Sequence, residues 1–364
     1  MAMAERWSPD HLRLHRRLLR DPALLPTGAR VLVAVSGGQD SMALLALLLD
    51  MQRLHHWPLL LWHGNHNWRP EAGEQARQLA AWAAGQGLQI RVDTWASPAH
   101  GEAAARAWRY NALARAGLQL GAQRVATGHT ASDRAETLLL NLARGSHRRG
   151  LGSLATRRGL DDVSREPDSL GSNGGGELEL ARPLLGFSRT DTARICTELG
   201  LPVWIDPSNH DPRFSRNRIR REVVPVLEQL HPGAERRISA LAERLSEEEA
   251  CRGELLELAL QAVLTEQPDA LRLPALLACS PALQRDLMQH WLRNRMGQAL
   301  PASQLETLLA RLNPLGGRDK GKGAGAGEMQ LAGGWRLRWR HSTLKLNQEP
   351  GAGGDGGQSG ECAR

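Results

Sequence analysis

Residues 31–49, Val-Leu-Val-Ala-Val-Ser-Gly-Gly-Gln-Asp-Ser-Met-Ala-Leu-Leu-Ala-Leu-Leu-Leu, set the terms for the whole chain. Val31 to Val35 are apolar and mostly β-branched, the pattern of a buried parallel strand. From about Ser41 an apolar-periodic helix carries Met42, Leu44, Leu45, Leu48 and Leu49 toward a core. Between them Gly37 and Gly38 allow a sharp turn that exposes backbone N–H groups at the positive end of the helix dipole. Ser36 and Ser41 add hydroxyls, and Gln39 an amide. This is an anion site with one discordant member. The Asp40 carboxylate would repel a phosphate unless a cation lay between them, so Asp40 suggests a Mg²⁺ bridge. The bland alternative is an ordinary Gly-Gly turn between strand and helix.

The loop lacks the spacing and the lysine of a Walker A sequence. It resembles instead the S-G-G-x-D-S pyrophosphate loop of ATP pyrophosphatases, which convert ATP to AMP and pyrophosphate.

The chain has 364 residues, enough for two cores. No run of about 18 apolar residues is present, so no membrane partner is expected. No signal-peptide pattern opens the chain. Cys196, Cys251, Cys279 and Cys362 are scattered, without a Cys-x-x-Cys pair. That weighs against a zinc ribbon, an iron–sulfur cluster or a disulfide framework, and makes a reducing cytoplasm the default. The net charge of +7 permits a polyanionic partner. Only three of the cations are lysine (Lys320, Lys322, Lys345), a bias that a G+C-rich genome would also produce.

Strand and helix patterns alternate through residues 28–144. Helices are expected over 8–20, 71–85, 101–120 and 132–144, and strands over 59–62, 89–95 and 124–127. The alternation predicts an α/β fold, a doubly wound parallel sheet with ligands at the carboxyl ends of its strands. Residues 1–214 form this expected domain, with a polar, Gly-rich insertion at 161–179. A helix at 188–199 and a strand at 203–206 close it. A basic linker helix over 215–233 and a smaller helical domain over 234–345 follow, the latter including a Gly-rich loop at 313–328 and a strand at Trp335–Arg340. Residues 346–364 read as a disordered tail.

Two further stretches carry chemistry. Gly128-His129-Thr-Ala-Ser-Asp133-Arg-Ala-Glu136-Thr137 lies at a strand end and helix start. Asp133 and Glu136, at i and i+3, share one helix face and could hold an ammonium group. Plain charge complementarity at a helix N-terminus is the alternative. His129 is either a structural strand-end histidine or a ring beside an adenine. Arg109, on the preceding helix, is suited to neutralising a phosphate. In Asp206 to Arg221 a turn is followed by Arg213, Arg216, Asn217, Arg218, Arg220 and Arg221. Five arginines at a helix start are unfavourable unless an anion sits there. A solvated charged face is the competing account, with Asp211 and Glu222 as the near partners, and Arg218 could brace the turn on Asp206 or Asp211.

Taken together these motifs are similar to those of the tRNA(Ile)-lysidine synthetase family. The loop matches, as do His66-Asn-Trp-Arg69 (H-G-x-R), Glu102 to Tyr110 (E-A-x-A-R-x-x-R-Y) and Gly128 to Thr137 (G-H-x-x-x-D-x-x-E-T). Arg144-Gly-Ser with Gly150-Leu151 and the D-x-S-N…R-N-x-I-R…V-x-P stretch of Asp206 to Pro225 complete a match over roughly residues 28–235. Asn67 and His147 replace glycines of the pattern, and Thr130 and Ser132 replace a histidine and an aspartate.

The resemblance implies a two-step reaction. ATP adenylates the 2-oxygen of the wobble cytidine of an isoleucine tRNA with a CAU anticodon. The amine of L-lysine then attacks carbon 2 and AMP leaves. It implies that Ser36, Gly37, Gly38, Gln39, Asp40, Ser41, His66, Arg109 and His129 serve ATP and that Asp40 serves Mg²⁺. Asp133 and Glu136 would serve lysine, and Arg144, Arg213, Arg216, Asn217, Arg218, Arg220 and Arg221 the tRNA. Asp40, Arg109, Asp133 and Glu136 are then the catalytic set. A homodimer stays open at this level. The competing readings are a sulfur-inserting tRNA enzyme of the same superfamily, disfavoured by the lack of a cysteine motif, and a small-molecule amidating enzyme, which has no need of the basic segment. A non-catalytic RNA-binding module would not need Asp40, Asp133 and Glu136 together.

Overall fold

The computed structural model describes residues 7–99, 101–146, 148–152, 154–160, 178–204, 211–313, 325–340 and 342–348. The expected turn at Asp206–Asn209, most of the 161–179 insertion, His147 and residues 349–364 of the expected tail lie outside the described residues; residues 346–348, expected at the start of that tail, instead end a strand whose Leu346 is buried. The chain divides into two compact units, Met1–Glu249 and Ala250–Arg364. The division falls within a long helix, and the segment 215–233 belongs to the first unit.

In the first unit α1 (Pro9–Arg20), β1 (Val31–Ala34), α2 (Gln39–His55), β2 (Leu59–Asn65), α3 (Pro70–Gly85), β3 (Ile90–Thr94), α4 (Glu102–Gln119) and β4 (Arg124–Thr127) follow in turn. Then come α5 (Ala131–Ala143), α6 (Arg148–Leu151), β5 (Arg157–Gly159), β6 (Glu179–Ala181) and α7 (Arg189–Glu198). Finally α8 (Ser215–Arg218) runs through a π turn (Ile219–Val223) into α9 (Val224–Leu230), and α10 (Ala234–Val263) crosses the boundary. The sheet order is β3-β2-β1-β4-β6-β5, parallel except for β5 on β6. This is the expected doubly wound sheet, with an antiparallel edge strand that sequence patterning had not indicated.

The alternation along β1 places a core on each face. Val31, Val33 and Val35 pack with Met42, Leu45, Leu48, Leu14 and Ile195, while Leu32 packs with Tyr110, Leu113 and Val125. From Ser41 to Leu48 every residue of α2 is buried, which explains why it is apolar all round. The chain runs outward from β1 through β2 to β3, then returns to β4 on β1's other side. The topological switch point therefore lies between β1 and β4, where open α/β sheets hold their ligands.

The second unit holds β7 (Ala270–Arg272), α11 (Leu273–Leu277), α12 (Pro281–Met296), α13 (Ala302–Leu312), β8 (Gly327–Gln330), β9 (Trp335–Arg340) and β10 (Thr343–Gln348). It holds more strand than its sequence suggested: the expected strand at Trp335–Arg340 is present, and with three others it forms a four-stranded antiparallel sheet in the order β7-β10-β9-β8, which the helices enclose. Trp291, Leu287, Leu308, Leu337, Leu344 and Trp339 are buried in that core. Gly327 is required beside Trp339, whose ring atoms would lie 2.4 Å from an added Cβ.

Candidate active site

The first loop closes on itself through serine. Ser36 N–H donates to Ser41 Oγ at 3.1 Å, Ser41 Oγ donates to the Gly38 carbonyl at 2.8 Å, and Gly38 N–H donates to Ser36 Oγ at 3.3 Å. Gly37 has φ +83°, and an added Cβ would meet the Trp204 ring at 3.1 Å. Trp204 N–H also donates to the Gly37 carbonyl at 2.9 Å. Across the switch point Gly128 presses against the start of α2. A Cβ there would lie 2.8 Å from the Asp40 carbonyl carbon and oxygen.

Asp40 is held by a helix that the sequence marked only as a helix. Thr192 Oγ1 donates to its Oδ1 at 2.5 Å, and Arg189 pairs with its Oδ2 at 3.0 Å. Gln39 reaches the same turn, donating to the Arg189 carbonyl at 2.9 Å and to Thr192 Oγ1 at 3.2 Å. Burial, and then the charge of Asp133, raise the Asp40 carboxyl above its usual range against the pull of Arg189. An arginine at a helix start, as Arg189 is, was the available signal for an anion nearby.

Asp133 caps its own helix. Its Oδ2 accepts the Thr130 N–H at 2.7 Å and the Thr130 hydroxyl at 2.9 Å. Its Oδ1 accepts from Arg216 at 2.8 Å. Glu136, only 2% exposed, accepts from Arg216 Nε at 2.7 Å and from Arg220 Nε at 2.6 Å. Arg216 and Arg220, expected on phosphates, are thus turned onto the two carboxylates expected at an ammonium. The cause is helical spacing: i and i+4 on the 215–220 segment share a face, as do i and i+3 on α5, and the two faces pack together. Burial alone would raise the Asp133 carboxyl, but Arg216 first, with the Thr130 N–H and Arg189, holds it well below the usual range.

Of the remaining arginines in this segment, Arg213 is outward and chelated by Asp211, at 2.7 Å from its Oδ2. Arg218 pairs with Glu222 at 2.9 Å rather than bracing the turn through Asp211. Arg221 is exposed, and Asn217 is buried and donates to the Asp211 carbonyl at 2.9 Å. Arg144, also exposed, stands at the C-cap of α5.

Arg109 meets His66 at the end of β2, Nε to Nε2 at 3.3 Å. His66 sits among Trp68, Trp95 and Trp108, the last at 4.9 Å between ring centroids, with Trp95 and Trp108 stacked at 5.4 Å. Asn67 adopts φ +52°, the left-handed conformation for which the family pattern uses glycine and which asparagine tolerates. His129 Nδ1 lies 2.9 Å from Thr127 Oγ1. Burial first, then Arg182, hold its imidazole well below its usual pKa, so it is neutral at neutral pH. Arg182, Arg106, Arg158 and Arg109 together bring Tyr110 down to about 8, against burial, which raises it. The field on this side of the switch point is positive, suited to a polyphosphate.

Ser132, where the family pattern has an aspartate, does not leave the position without a carboxylate. Its Oγ donates to Glu235 Oε1 at 2.5 Å from the first turn of α10, and accepts the Arg189 N–H at 3.0 Å. Burial raises the Glu235 carboxyl above its usual range. Among the described residues no group of three or more His, Cys, Asp or Glu could hold a metal ion by itself.

Comparison with known proteins identifies the family. A model of the PP-loop domain matches residues 12–227, and a model of the TilS substrate binding domain matches residues 271–344. The tRNA(Ile)-lysidine synthase of Parasynechococcus marenigrum (strain WH8102) is 49% identical over 353 residues, covering 96% of this chain and 98% of that one. This chain belongs to the tRNA(Ile)-lysidine synthase family. Another family member, from Synechococcus sp. (strain ATCC 27144), is 41% identical over 303 residues, covering 83% of this chain and 88% of its own. Among solved structures, the U34-tRNA thiolase of Methanococcus maripaludis with its [4Fe-4S] cluster shares the fold, with a TM-score of 0.52 and 18% identity over 65% of this chain and 78% of that one. In this member of the lysidine synthase family the described cysteines Cys196, Cys251 and Cys279 are free, and no helix among the described residues is long and apolar enough to cross a membrane.

Proposed function

We propose that this chain uses ATP to join L-lysine to carbon 2 of the wobble cytidine of a CAU-anticodon isoleucine tRNA. In the first step the cytidine 2-oxygen attacks the α-phosphorus and pyrophosphate leaves. In the second the lysine amine attacks carbon 2 and AMP leaves. The observation that carries the reading is the meeting of two opposite sites at one switch point. The N–H-rich loop of Ser36–Ser41 suits a polyphosphate, and the buried Asp133–Glu136 pair already holds cationic groups at 2.6–2.8 Å.

On this reading the loop N–H groups and serines bind the pyrophosphate and favour its departure. Arg109, anchored by His66, faces the α-phosphate. Asp133 and Glu136 receive the lysine ammonium as Arg216 and Arg220 give way. Asp40 suits Mg²⁺ as a single-carboxylate ligand, since each oxygen has a protein partner and lone pairs to spare. Mg²⁺ is commonly held by one or two carboxylates with the phosphates supplying further ligands, and when bound it offsets the charge between Asp40 and ATP. The unpaired state of the described cysteines fits a cytoplasmic setting. The test is incorporation of radiolabelled lysine into total tRNA. Incorporation that requires ATP and spares transcripts with other anticodons is expected. Its absence with well-folded protein and a cognate transcript overturns the reading.

A further inference from the structure

Three tryptophans of the first unit converge on His66, and the reaction as described uses none of them. Trp68 follows β2, Trp95 follows β3 and Trp108 stands in the second turn of α4. Aromatic residues make up only 4% of the chain, and its cores are filled mainly with leucine and alanine. Core filling therefore does not explain why three of its 11 tryptophans gather at one end of the sheet. The backbone fixes their place. Trp95 N–H donates to the Asn65 carbonyl at 2.9 Å, which carries the β2–β3 ladder one residue past β3. Asn67, whose N–H donates to Asn65 Oδ1 at 2.9 Å, turns the chain after β2. Trp68 Nε1 then donates to the Ala99 carbonyl at 3.3 Å. Trp95 and Trp108 lie parallel within 5°, and Trp108 packs against the core around Leu32 and Tyr110. His66 meets Trp108 edge-on and lies 5.8 Å from Trp68 between ring centroids. Trp95 and Trp108 are half-buried, whereas Trp68 is 41% exposed. The group presents one ring that is both held in place and exposed.

Its position says what such a ring can meet. The cluster lies at the carboxyl ends of β2 and β3, the side of an open α/β sheet on which ligands bind. His66 joins it to Arg109. In the proposed reaction Arg109 faces the α-phosphate that the cytidine 2-oxygen attacks. His129, the ring suited to the adenine of ATP, follows β4 on the other side of β1, so the β2–β3 side is left to the RNA. A cytidine that reacts at its 2-oxygen must leave the stack of its loop, which uncovers a face of its neighbour. Aromatic side chains take up the faces of unpaired bases in this way. In a CAU anticodon the neighbour on the 3′ side is an adenosine, a purine with a broad π-face.

We propose that Trp68, braced through His66 by the stacked Trp95–Trp108 pair, is a stacking platform for the adenosine that follows the reacting cytidine, and that it keeps the cytidine turned out toward the α-phosphate. The proposal rests on the reading of the chain as a lysidine-forming enzyme. Trp68 and Trp108 stand at positions that the family pattern leaves open, in H-G-x-R and in E-A-x-A-R-x-x-R-Y, so the platform is built from this chain's own residues and not from the shared motifs. Trp68 acts by positioning the RNA and touches no reacting atom.

The experiment measures equilibrium binding of the full chain to isoleucine tRNA, intact or with an abasic residue in place of that adenosine, for wild type, Trp68→Phe and Trp68→Ala. Trp68→Ala should weaken binding of the intact tRNA about fivefold to a hundredfold, the scale of one stacked base. Trp68→Phe, which keeps a ring, should retain most of the affinity. The abasic tRNA should bind wild type more weakly by a similar factor and bind Trp68→Ala no more weakly than the intact tRNA does. The slope of log K against log salt should not change, because stacking neutralises no phosphate, and ATP affinity should not change either. A thermal melt is the control. If Trp68→Ala melts lower, wild type and Trp68→Phe with the two tRNAs carry the test. Penalties that simply add, with the abasic tRNA losing as much affinity on Trp68→Ala as on wild type, overturn the proposal. So does a loss of ATP affinity with unchanged tRNA binding, which would give the rings to the adenine of ATP. The assay reads binding and not lysine transfer. Non-additive penalties in a protein that forms no lysidine would sink the proposed reaction and keep the platform; lysidine formation with additive penalties would do the reverse.

Discussion

Arg216 bridges the two acids of α5, with its Nε 2.7 Å from Glu136 Oε2 and a terminal nitrogen 2.8 Å from Asp133 Oδ1. With Arg220 on Glu136 as well, two cations balance two carboxylates. Arg216→Ala leaves one buried negative charge unmatched, a loss on the order of 3 kcal/mol. The variant should melt lower than wild type, and millimolar lysine should recover more of the melting temperature in the variant than it adds to wild type. The salt slope of tRNA binding should stay as it was, because this guanidinium is spent on carboxylates. Equal lysine effects in both proteins would remove the acid pair from the lysine site.

Glu136→Gln keeps the shape and removes the charge. A charge-assisted bond is worth roughly 1.5–3 kcal/mol, so the lysine concentration for half-maximal rate should rise about tenfold to a hundredfold. The ATP requirement should hardly move. Steady-state titrations of each substrate decide it, and parallel changes in both would make Glu136 a scaffold residue.

Asp133 makes part of the stability pH-dependent. Its carboxyl is held below the unfolded value of 3.8, chiefly by Arg216 against burial. The stabilisation is complete above that value and is lost as pH falls through it toward the folded pKa. Wild type should therefore exceed Asp133→Asn in melting temperature near neutral pH, and the gap should close on acidification below about 4. A constant gap from about pH 7 to about pH 3 would mean that the ion pair contributes nothing.

The strand at Val31, the loop at Ser36–Ser41 and the helix after it were legible because apolar period and glycine placement are local. So was each face by itself, in principle, since 133/136 and 216/220 each have helical spacing. What the spacing could not tell is that those faces meet each other instead of separate ligands. The Ser132–Glu235 bond spans 103 residues and leaves no local trace. β7, β8 and β10 were missed for another reason: three to six residues long, with scarcely a β-branched side chain, they hold their place through the core of Leu271, Leu344 and Leu346.

Asp40→Asn separates the chemistry of the loop from its fold. The amide still accepts from Thr192, but it loses the charge that Arg189 pairs with and that a divalent cation requires. Adenylation should fall about a hundredfold, or about 2.7 kcal/mol, with a circular dichroism spectrum like that of wild type. AMP formation at the wild-type rate would show that Asp40 serves only to seat α7.

Gly128→Ala tests whether the switch point must close as tightly as it does. An added Cβ would meet the Asp40 carbonyl carbon and oxygen at 2.8 Å and the Ser41 nitrogen at 2.9 Å. All three are backbone atoms at the first turn of α2, so no side chain can swing aside to make room. Either β4 or the loop must move, and the loop is the part with fewer partners, held by the Ser36–Ser41 hydrogen bonds. Overpacking of this kind costs about 1–3 kcal/mol. The expected outcome is a folded protein with a modestly lower melting temperature and a much larger loss of ATP binding, because the loop N–H groups no longer converge. Equilibrium binding of ATP beside a thermal melt checks it. Wild-type ATP affinity in the variant would mean that the loop is not positioned by contact with Gly128, and that its geometry comes from the serine bonds and Trp204 alone.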